Sequence, residues 1–167
     1  SINAIKLDTG DKIVSVLFTS KLPIGILTKC GNFIIIDTKE INPIGRMTRG
    51  VIGIKLNAGD EVVDSQLIGP DIKEFLFVSQ GGRAIRNSKN DYTIQGRGGK
   101  GIKVRKLEND FESKFVSLSN EQELIVASEK STLKLEINTL PLMNRGVLGV
   151  QTIKLKENEK ISGISKF

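Results

Sequence analysis

Residues 54–63 read IKLNAGDEVV, and this phrase decides the fold because it returns along the chain at nearly constant spacing. Residues 5–14 read IKLDTGDKIV, and weaker copies begin at Arg105 and Ile153. The copies start 49, 51 and 48 residues apart. A fixed period of this size is typical of repeat architectures. We therefore divide the chain into repeats of about 5–53, 54–104 and 105–152, followed by closing strands at 153–167.

Every repeat has the same internal plan. The phrase is followed by an alternating stretch, which predicts a strand with one buried face. A short continuous apolar run comes next; it is too short for a helix and is typical of a strand covered on both faces. A tight turn and a return strand then predict a hairpin. The alternating stretches are 13–18, 62–68 and 115–118, the apolar runs are 24–27, 75–78 and 124–127, and the return strands are 33–37, 83–86 and 133–137.

The predicted fold class is all-β, because no stretch has sustained 3.6-residue periodicity with helix caps. Four short strands per repeat, joined by long polar loops, favour a propeller-like disc of roughly three blades in a single domain over 1–167. A β-trefoil also has three units of comparable length and is the structural alternative.

Composition excludes several kinds of site. The chain has no histidine and a single cysteine, Cys30, so a zinc site, a Cys/His catalytic pair and an internal disulfide are excluded, whereas a carboxylate-only magnesium site stays open. The cysteine usage is typical of a reducing cytoplasm. Apolar runs of about four residues fall far short of the roughly 20 that a membrane span needs, and the N-terminus lacks a signal-peptide pattern. We expect a soluble, cytoplasmic protein with no membrane partner.

Positive charge is concentrated in one segment. Between Gln80 and Leu107 eight Lys or Arg residues face one acidic residue, Asp91, which gives a local net charge of +7, whereas the whole chain carries +6. The densest part is QGRGGKG at 95–101, where glycines allow close approach of the backbone and leave amides available. Such a patch is typical of polyphosphate binding. The chain has seven Phe, one Tyr and no Trp, which are few rings on which to stack unpaired bases. This composition favours binding to the backbone of duplex nucleic acid over binding to single strands.

The long loops align with one another. Counted back from the recurring Lys-Leu strands, Arg46, Arg97 and Arg145 fall at one position. Four residues later each loop has a glycine, at Gly50, Gly101 and Gly149. The sequence therefore predicts an arginine at the same place on every blade.

These residues resemble a known family. The 95–101 loop resembles the signature box of the C-terminal domain of the DNA gyrase A protein, QRRGGKG; six of the seven positions agree, and Gly96 replaces the first arginine. The phrase IKL, two residues, then GDEVV also resembles the blades of that domain and of the topoisomerase IV C-terminal domain. The resemblance covers essentially the whole chain. It implies a β-pinwheel whose blades exchange strands, usually with five or six blades rather than about three.

The resemblance also implies a function. The domain would bind double-stranded DNA and wrap it around a basic rim, which supports ATP-dependent supercoiling by an A2B2 holoenzyme that includes the gyrase B subunit. It implies no catalysis and no cofactor in this domain, because ATP and Mg belong to other parts of that holoenzyme. Tyr92 is then not the DNA-cleaving tyrosine, since the family's nucleophile belongs to a separate domain.

Residue roles follow from the resemblance and from the charge pattern. We expect Arg97 to fork two phosphate oxygens, Lys100 to act as a point charge, and the Gly98 and Gly99 amides to donate to phosphate. The predicted DNA-binding residues are Gln95, Gly96, Arg97, Gly98, Gly99, Lys100, Gly101, Arg46, Arg49, Arg145, Arg83, Arg86, Lys89, Lys103 and Arg105.

Three functional alternatives stay open. The domain could belong to the corresponding protein of topoisomerase IV, where it would steer substrate topology. It could be a protein-interaction propeller with a basic face. An enzyme that cradles a nucleotide is a third, although the loop lacks the G-x-x-x-x-G-K-[ST] spacing and no predicted helix follows it.

Overall fold

A computed structural model of the chain describes residues 4–18 and 21–166. These ranges contain β-strands and short 3-10 helices but no α-helix, and none of their helices is long and apolar enough to cross a membrane. The all-β prediction is confirmed. In chain order the strands are β1 (Ile24–Thr28), β2 (Asn32–Ile36), β3 (Val62–Leu67), β4 (Glu74–Ser79), β5 (Arg83–Ser88), β6 (Ile94–Gln95), β7 (Ile102–Lys103), β8 (Glu112–Leu118), β9 (Glu123–Ser128), β10 (Thr132–Glu136), β11 (Val150–Gln151) and β12 (Ile161–Lys166).

Each of the three sheets is built on one predicted hairpin. The hairpins are β1–β2, β4–β5 and β9–β10, all antiparallel. The first sheet has the order β3-β1-β2, with β6 and β7 both on the outer side of β2. The second has the order β8-β4-β5-β11, and the third has β12-β9-β10. The apolar runs are therefore the central strands, and this position explains why they lack an exposed face.

Neighbouring repeats exchange strands. The strand β3 lies in the second sequence repeat but pairs with β1 of the first, and β8 and β12 pair with β4 and β9 in the same way. All three pairings shift register at the same place, for example between Leu27 and Thr28. Each sheet thus combines a hairpin from one repeat with strands from the next. This confirms the strand exchange that the family resemblance implies.

Two kinds of segment recur along the chain. The "exchange segments" carry the Lys-Leu phrase and the strand that joins the preceding hairpin, and they are residues 4–18, 53–67, 104–118 and 152–166. The "arginine loops" connect each hairpin to the following exchange segment, and they are residues 41–52, 92–103 and 140–151. A short 3-10 helix precedes each arginine loop.

Aromatic rings fill the core between the first and second sheets. Phe33 lies at the centre, with its ring centroid 4.9 Å from Phe115 and 5.2 Å from Tyr92. Tyr92 is buried, its hydroxyl donates to Asn87 Oδ1 at 2.8 Å, and burial raises its pKa far above the ordinary value. Tyr92 is therefore part of this aromatic core, and its hydroxyl is engaged inside the protein.

The predicted strand at 13–18 is wrong for the described part of the chain. It forms no sheet pairing there, and Val16 and Phe18 are 75% and 93% exposed. The segment, IVSVLF, is more apolar than the corresponding β3, VVDSQL, but apolar side chains alone cannot supply a partner strand, and no hairpin of the described ranges pairs with it.

Candidate nucleic-acid interface

The three loop arginines occupy equivalent positions in the fold. Arg46, Arg97 and Arg145 each begin a turn whose second residue has a left-handed backbone, at Met47 (φ 64), Gly98 (φ 76) and Gly146 (φ 85). The amides of these second residues donate to the carbonyls of Ala4, Gly53 and Val104 at 3.2, 2.7 and 2.9 Å. The first arginine loop thus pairs with the exchange segment 4–18, the second with 53–67 and the third with 104–118. The predicted alignment of the arginines is therefore confirmed, and all three side chains are exposed.

The glycine four residues after the arginine has a packing role in the second and third arginine loops, whereas a Cβ at Gly50 would meet no atom within 4 Å. Gly101 has φ +74, and a Cβ there would lie 2.9 Å from the Phe33 carbonyl oxygen. At Gly149, with φ +84, the corresponding distance to the Ala84 oxygen is 2.6 Å. Only glycine lets the loop approach the outer strand of the preceding hairpin so closely. Gly101 and Gly149 therefore hold the second and third arginine loops against β2 and β5, the outer strands of the hairpins one repeat earlier.

The prediction that the Gly98 and Gly99 amides are available to phosphate is wrong. The Gly98 N–H donates to Gly53 O at 2.7 Å and the Gly99 N–H to Gly96 O at 3.3 Å. The Gly99 carbonyl in turn accepts from the Lys55 N–H at 2.8 Å. The Gly98 N–H and the Gly99 carbonyl pair with the exchange segment, and the Gly99 N–H closes the turn within the loop, so these two amides are not available to a ligand.

Arg97 is held by an acidic residue that sequence reasoning missed. Its backbone N–H donates to Glu40 Oε2 at 2.9 Å and its Nε donates to the Glu40 carbonyl at 3.1 Å. Glu40 ends the 3-10 helix after the first hairpin and reaches the loop only through strand exchange, so no local sequence signal could have found it. Within the same loop, Gln95 is half-buried in β6, while Gly96 and Lys100 are exposed.

Arg145 and Lys103 lie together. The Arg145 Nη1 donates to the Lys103 carbonyl at 3.4 Å, and its guanidinium lies 5.8 Å from the Tyr92 ring centroid. The Lys103 ammonium donates to the Cys30 carbonyl. In the first arginine loop, Arg49 forms an exposed ion pair with Asp8 at 3.1 Å.

Arg83, Arg86 and Lys89 are less available than predicted, since all three are half-buried. Arg86 pairs with Glu74 through Nε and Nη2, and its Nη1 donates to two backbone carbonyls of the third repeat, Ile137 at 3.3 Å and Leu140 at 3.0 Å. The Arg83 Nη1 donates to the Gly149 carbonyl at 3.4 Å. These two arginines therefore connect neighbouring repeats.

Arg105 requires a correction, because it is fully buried. Its Nε and Nη2 donate to the Glu112 carboxylate at 2.7 and 2.5 Å, and its Nη1 donates to the Arg83 carbonyl at 3.1 Å. Every one of these bonds is internal, so the guanidinium does not belong to a DNA-binding surface. The sequence carried a signal for this: Arg105 stands in register with Ile54 and Ile153, which are buried.

Acidic residues tie each hairpin turn to the next exchange segment. The Asp60 carboxylate accepts from the Cys30 and Glu61 amides at 2.9 Å each, and Asp110 accepts from the Gly81 amide at 3.0 Å. Burial alone would raise the pKa of Asp60, but bonds from these amides and from Thr28 outweigh it and lower that pKa. We call the turns that contain Asp60 and Asp110 the acidic turns. Within the described ranges no cluster of His, Cys, Asp or Glu could hold a metal ion.

Comparison with known proteins places this arrangement in a family. A family model described as "DNA gyrase C-terminal domain, beta-propeller" matches residues 2–20, 26–68, 73–119 and 122–167. The chain belongs to this family. The strand-exchanged sheets and the arginine loops described above are thus features of a DNA gyrase C-terminal domain fold.

Curated relatives are named as the A subunit of DNA gyrase. The protein of Helicobacter pylori is 34% identical over 158 residues, which cover 91% of this chain and 19% of that protein. The protein of Deinococcus deserti is 32% identical over 173 residues, covering 98% of this chain and 21% of that protein. This family member therefore spans about a fifth of the length of these relatives.

Solved structures show the same fold. A DNA gyrase A C-terminal domain superposes with a TM-score of 0.89 at 24% identity, covering 98% of this chain and 57% of the other. A topoisomerase IV C-terminal domain superposes with a TM-score of 0.88 at 21% identity, covering 98% and 52%. The predicted β-pinwheel is confirmed, and the chain spans about half of each solved domain.

Proposed function

We propose that this chain binds duplex DNA without reading its sequence and bends it along the edge that carries the arginine loops. In this role it serves the gyrase A protein and supports ATP-dependent supercoiling. The observation that carries the proposal is the equivalence of Arg46, Arg97 and Arg145, each exposed on the same turn of successive repeats. A regular series of cations suits a regular series of phosphates.

The charge and stiffness of duplex DNA determine how many cationic contacts this edge must make. Duplex DNA carries one phosphate charge per roughly 1.7 Å of helix axis, and each neutralised phosphate releases counterions. Bending a site of 20–30 base pairs costs on the order of 1–6 kcal/mol, so contacts must continue along the curve. Lys100 beside Arg97, and Lys103 beside Arg145, would extend the contacts between the arginine turns.

The domain would act without chemistry of its own. We propose that it has no catalytic residue and no cofactor, and that ATP and Mg are used elsewhere in an A2B2 holoenzyme with the gyrase B subunit. The naming of the curated relatives as DNA gyrase proteins supports this context. A cytoplasmic, nucleoid-associated location follows from the same proposal.

A salt titration tests DNA binding. Five exposed cations, Arg46, Arg97, Lys100, Lys103 and Arg145, would each neutralise one phosphate, so the logarithm of the binding constant should fall with the logarithm of salt concentration with a slope of about −4 to −5. Fluorescence anisotropy with a 30-base-pair duplex measures it. A propeller that binds acidic proteins instead of DNA would show weak duplex binding even at low salt.

A second experiment tests bending separately from binding. In the variant Arg97→Ala with Lys100→Ala, energy transfer between dyes on the two duplex ends should report a larger loss of bending than the loss of affinity, because the other cations still hold phosphates. The matched control is Lys130→Ala with Lys160→Ala, which removes the same charge from exposed positions outside the arginine loops. Unchanged curvature in the first variant would refute the proposed role of the 95–101 loop.

Topoisomerase IV is the second candidate context, since the two solved domains match equally well. The glycine-rich loop, with six of seven box positions, favours gyrase. Supercoiling assays of the holoenzyme, with and without this domain, distinguish the two, because only gyrase introduces negative supercoils into relaxed DNA.

A further inference from the structure

We propose that a cavity at one end of the first sheet binds a small aromatic carboxylate, of which benzoate is the simplest. The ring lies among apolar side chains, and the carboxylate pairs with the ammonium of Lys89. Binding at this cavity does not require the proposed DNA-binding function.

The cavity lies at the end of the first sheet opposite the turn between β1 and β2. Its volume is about 170 Å³, close to the roughly 150 Å³ of an apolar cavity that accepts benzene. Its apolar walls include Pro23, Ile35, Ile68, Tyr92 and Ile94. The cavity therefore has the size of one aromatic ring with a small substituent.

The polar groups of these walls are bonded inside the protein. The Ile68 N–H donates to the Pro23 carbonyl at 2.8 Å, and the Tyr92 hydroxyl donates to Asn87. The Tyr92 ring already makes edge-to-face contacts with Phe33 and Phe75. A flat ligand ring can pack against the Tyr92 ring in the same manner, and its rigidity lowers the entropic cost of binding.

Lys89 gives the cavity its charge. Among the described residues it is the one charged residue that lines the cavity, and it is half-buried. Its backbone N–H donates to the Lys73 carbonyl at 2.8 Å, which fixes the main chain at the wall. Its ammonium forms no hydrogen bond or ion pair within residues 4–18 and 21–166. An anionic ligand would supply the missing partner, because a half-buried charge is stabilised by pairing.

The second sheet has a cavity of about 370 Å³ at the equivalent place, with the opposite character. Glu74 and Arg86 line it, each 51 residues after Pro23 and Ile35. These two side chains form an ion pair, and the Arg86 Nη1 also donates to the Ile137 carbonyl. The charges of the second cavity are thus paired within the protein.

The lysine is also particular to the first sheet. Lys89 begins the 3-10 helix beside the first cavity, and Ile137 begins the next 3-10 helix, beside the second. The repeat therefore conserves the place of the cavity but not its chemistry. Apolar walls and an unpaired lysine occur together at the first place and not at the second.

The cavity adjoins the arginine loop 92–103. Tyr92 and Ile94 belong to this loop, and Ile94 pairs with Ile35 through β6 and β2. A ligand would therefore contact both the first sheet and the start of the loop. The amide signals of Ile35, Ile68 and Ile94 are suitable reporters of its binding.

The test is an NMR titration of the ¹⁵N-labelled full chain with benzoate. The three reporter amides should shift and saturate with a Kd of about 1 mM or lower, a modest affinity for a ligand of this size. Benzamide has a similar shape without the charge, and its Kd should be at least about fivefold higher. Acetate lacks the ring and should cause no saturable shift at these amides.

Substitution of Lys89 separates the charge from the cavity. Lys89→Met should weaken benzoate binding at least about fivefold and leave the affinity for benzamide unchanged, whereas Lys89→Arg should retain the preference for benzoate. The matched control is Lys39→Met, which removes an exposed lysine from the preceding 3-10 helix and should change neither affinity. Unchanged spectra away from the cavity show that each variant is folded.

Three results would overturn the proposal. The first is the absence of saturable shifts at the reporter amides with benzoate at about ten times the expected Kd. The second is equal affinity of the wild type for benzoate and benzamide. The third is equal affinity of the wild type and folded Lys89→Met for benzoate, because the carboxylate would then not be held by Lys89.

Discussion

A single backbone contact makes glycine necessary at position 101. Its φ of +74 and the 2.9 Å between a hypothetical Cβ and the Phe33 oxygen both oppose a side chain. We expect Gly101→Ala to lower the free energy of unfolding by about 1–3 kcal/mol. Urea denaturation followed by circular dichroism measures this loss.

Gly96 is the matched control in the same loop. It lacks a positive φ, and the nearest atom to its hypothetical Cβ is Glu40 Oε2 at 3.9 Å. Gly96→Ala should therefore change stability by less than about 0.5 kcal/mol. Equal losses in both variants would mean that the close approach at Gly101 does not determine the loop's position.

The buried pair of Arg105 and Glu112 gives a second prediction at this scale. Arg105→Met leaves an uncompensated carboxylate in the core, and we expect a loss of about 3–5 kcal/mol in the free energy of unfolding. Adding Glu112→Leu should recover most of that loss, because an apolar pair of similar volume is often as stable as a buried ion pair. Denaturant titration of both variants measures these values.

The same double variant checks the correction to the predicted interface. Since Arg105 is fully buried, a folded protein with both substitutions should bind duplex DNA with unchanged affinity and unchanged salt slope. A shallower slope would show that Arg105 reaches phosphate after all.

At the scale of elements, the acidic turns join each hairpin to its successor. The bonds to Asp60 lower its folded pKa below the unfolded value of about 3.9. The stability they provide is therefore fully present above pH 4 and is lost as pH falls through the lower folded pKa. The wild type should exceed Asp60→Asn in urea midpoint by a constant margin from pH 7 to about 4, and the margin should shrink below that.

Asp71→Asn serves as the control for this pH series, because Asp71 is an exposed turn residue away from the hairpin turns. Its urea midpoint should stay close to that of the wild type at every pH. A margin for Asp60→Asn that persists unchanged at pH 2 would show that the carboxylate's charge is not what joins the elements.

Local pattern was enough to predict the hairpins but not their partners. The apolar run 75–78 and the turn after it lie next to each other in sequence, so β4 and β5 could be found directly. The partner of β4 is β8, far along the chain, and only the family resemblance implied such an exchange. Residues 13–18 illustrate the limit, since they occupy the position of β3 in the repeat but no described strand pairs with them.

Part of the geometry of the candidate site could also be predicted from the sequence. The repeat placed Arg46, Arg97 and Arg145 in register, and the structure bears this out. Counting charge does not separate exposed from buried cations, so the prediction that Arg105 contacts DNA is wrong. The glycine content of the 95–101 loop predicts free amides, whereas those of Gly98 and Gly99 form hydrogen bonds that the sequence does not specify.

At the scale of the whole molecule, the charge of the surface can be increased by one basic side chain in the 95–101 loop. Gly96 stands where the family box has an arginine, it is exposed, and the space around it is open. We expect Gly96→Arg to keep stability within about 0.5 kcal/mol and to steepen the salt slope of DNA binding by about 0.9, the effect of one added phosphate contact. Anisotropy titrations at several salt concentrations measure it.

Gly96→Gln is the uncharged control for that substitution. It adds a side chain of comparable reach without charge, so its salt slope should equal that of the wild type. Equal slopes for Gly96→Arg and the wild type would mean that DNA does not pass over this part of the loop.

Strand exchange has a consequence for synthesis on the ribosome. The hairpin β1–β2 emerges early, but β3, β6 and β7, which complete its sheet, are translated much later. At about 5–20 residues per second, several seconds pass between the synthesis of the hairpin and that of the strands that complete its sheet. Each sheet should therefore complete its folding only after the next repeat has been translated. A nascent chain on a stalled ribosome would then expose one hairpin whose edge strands are unpaired.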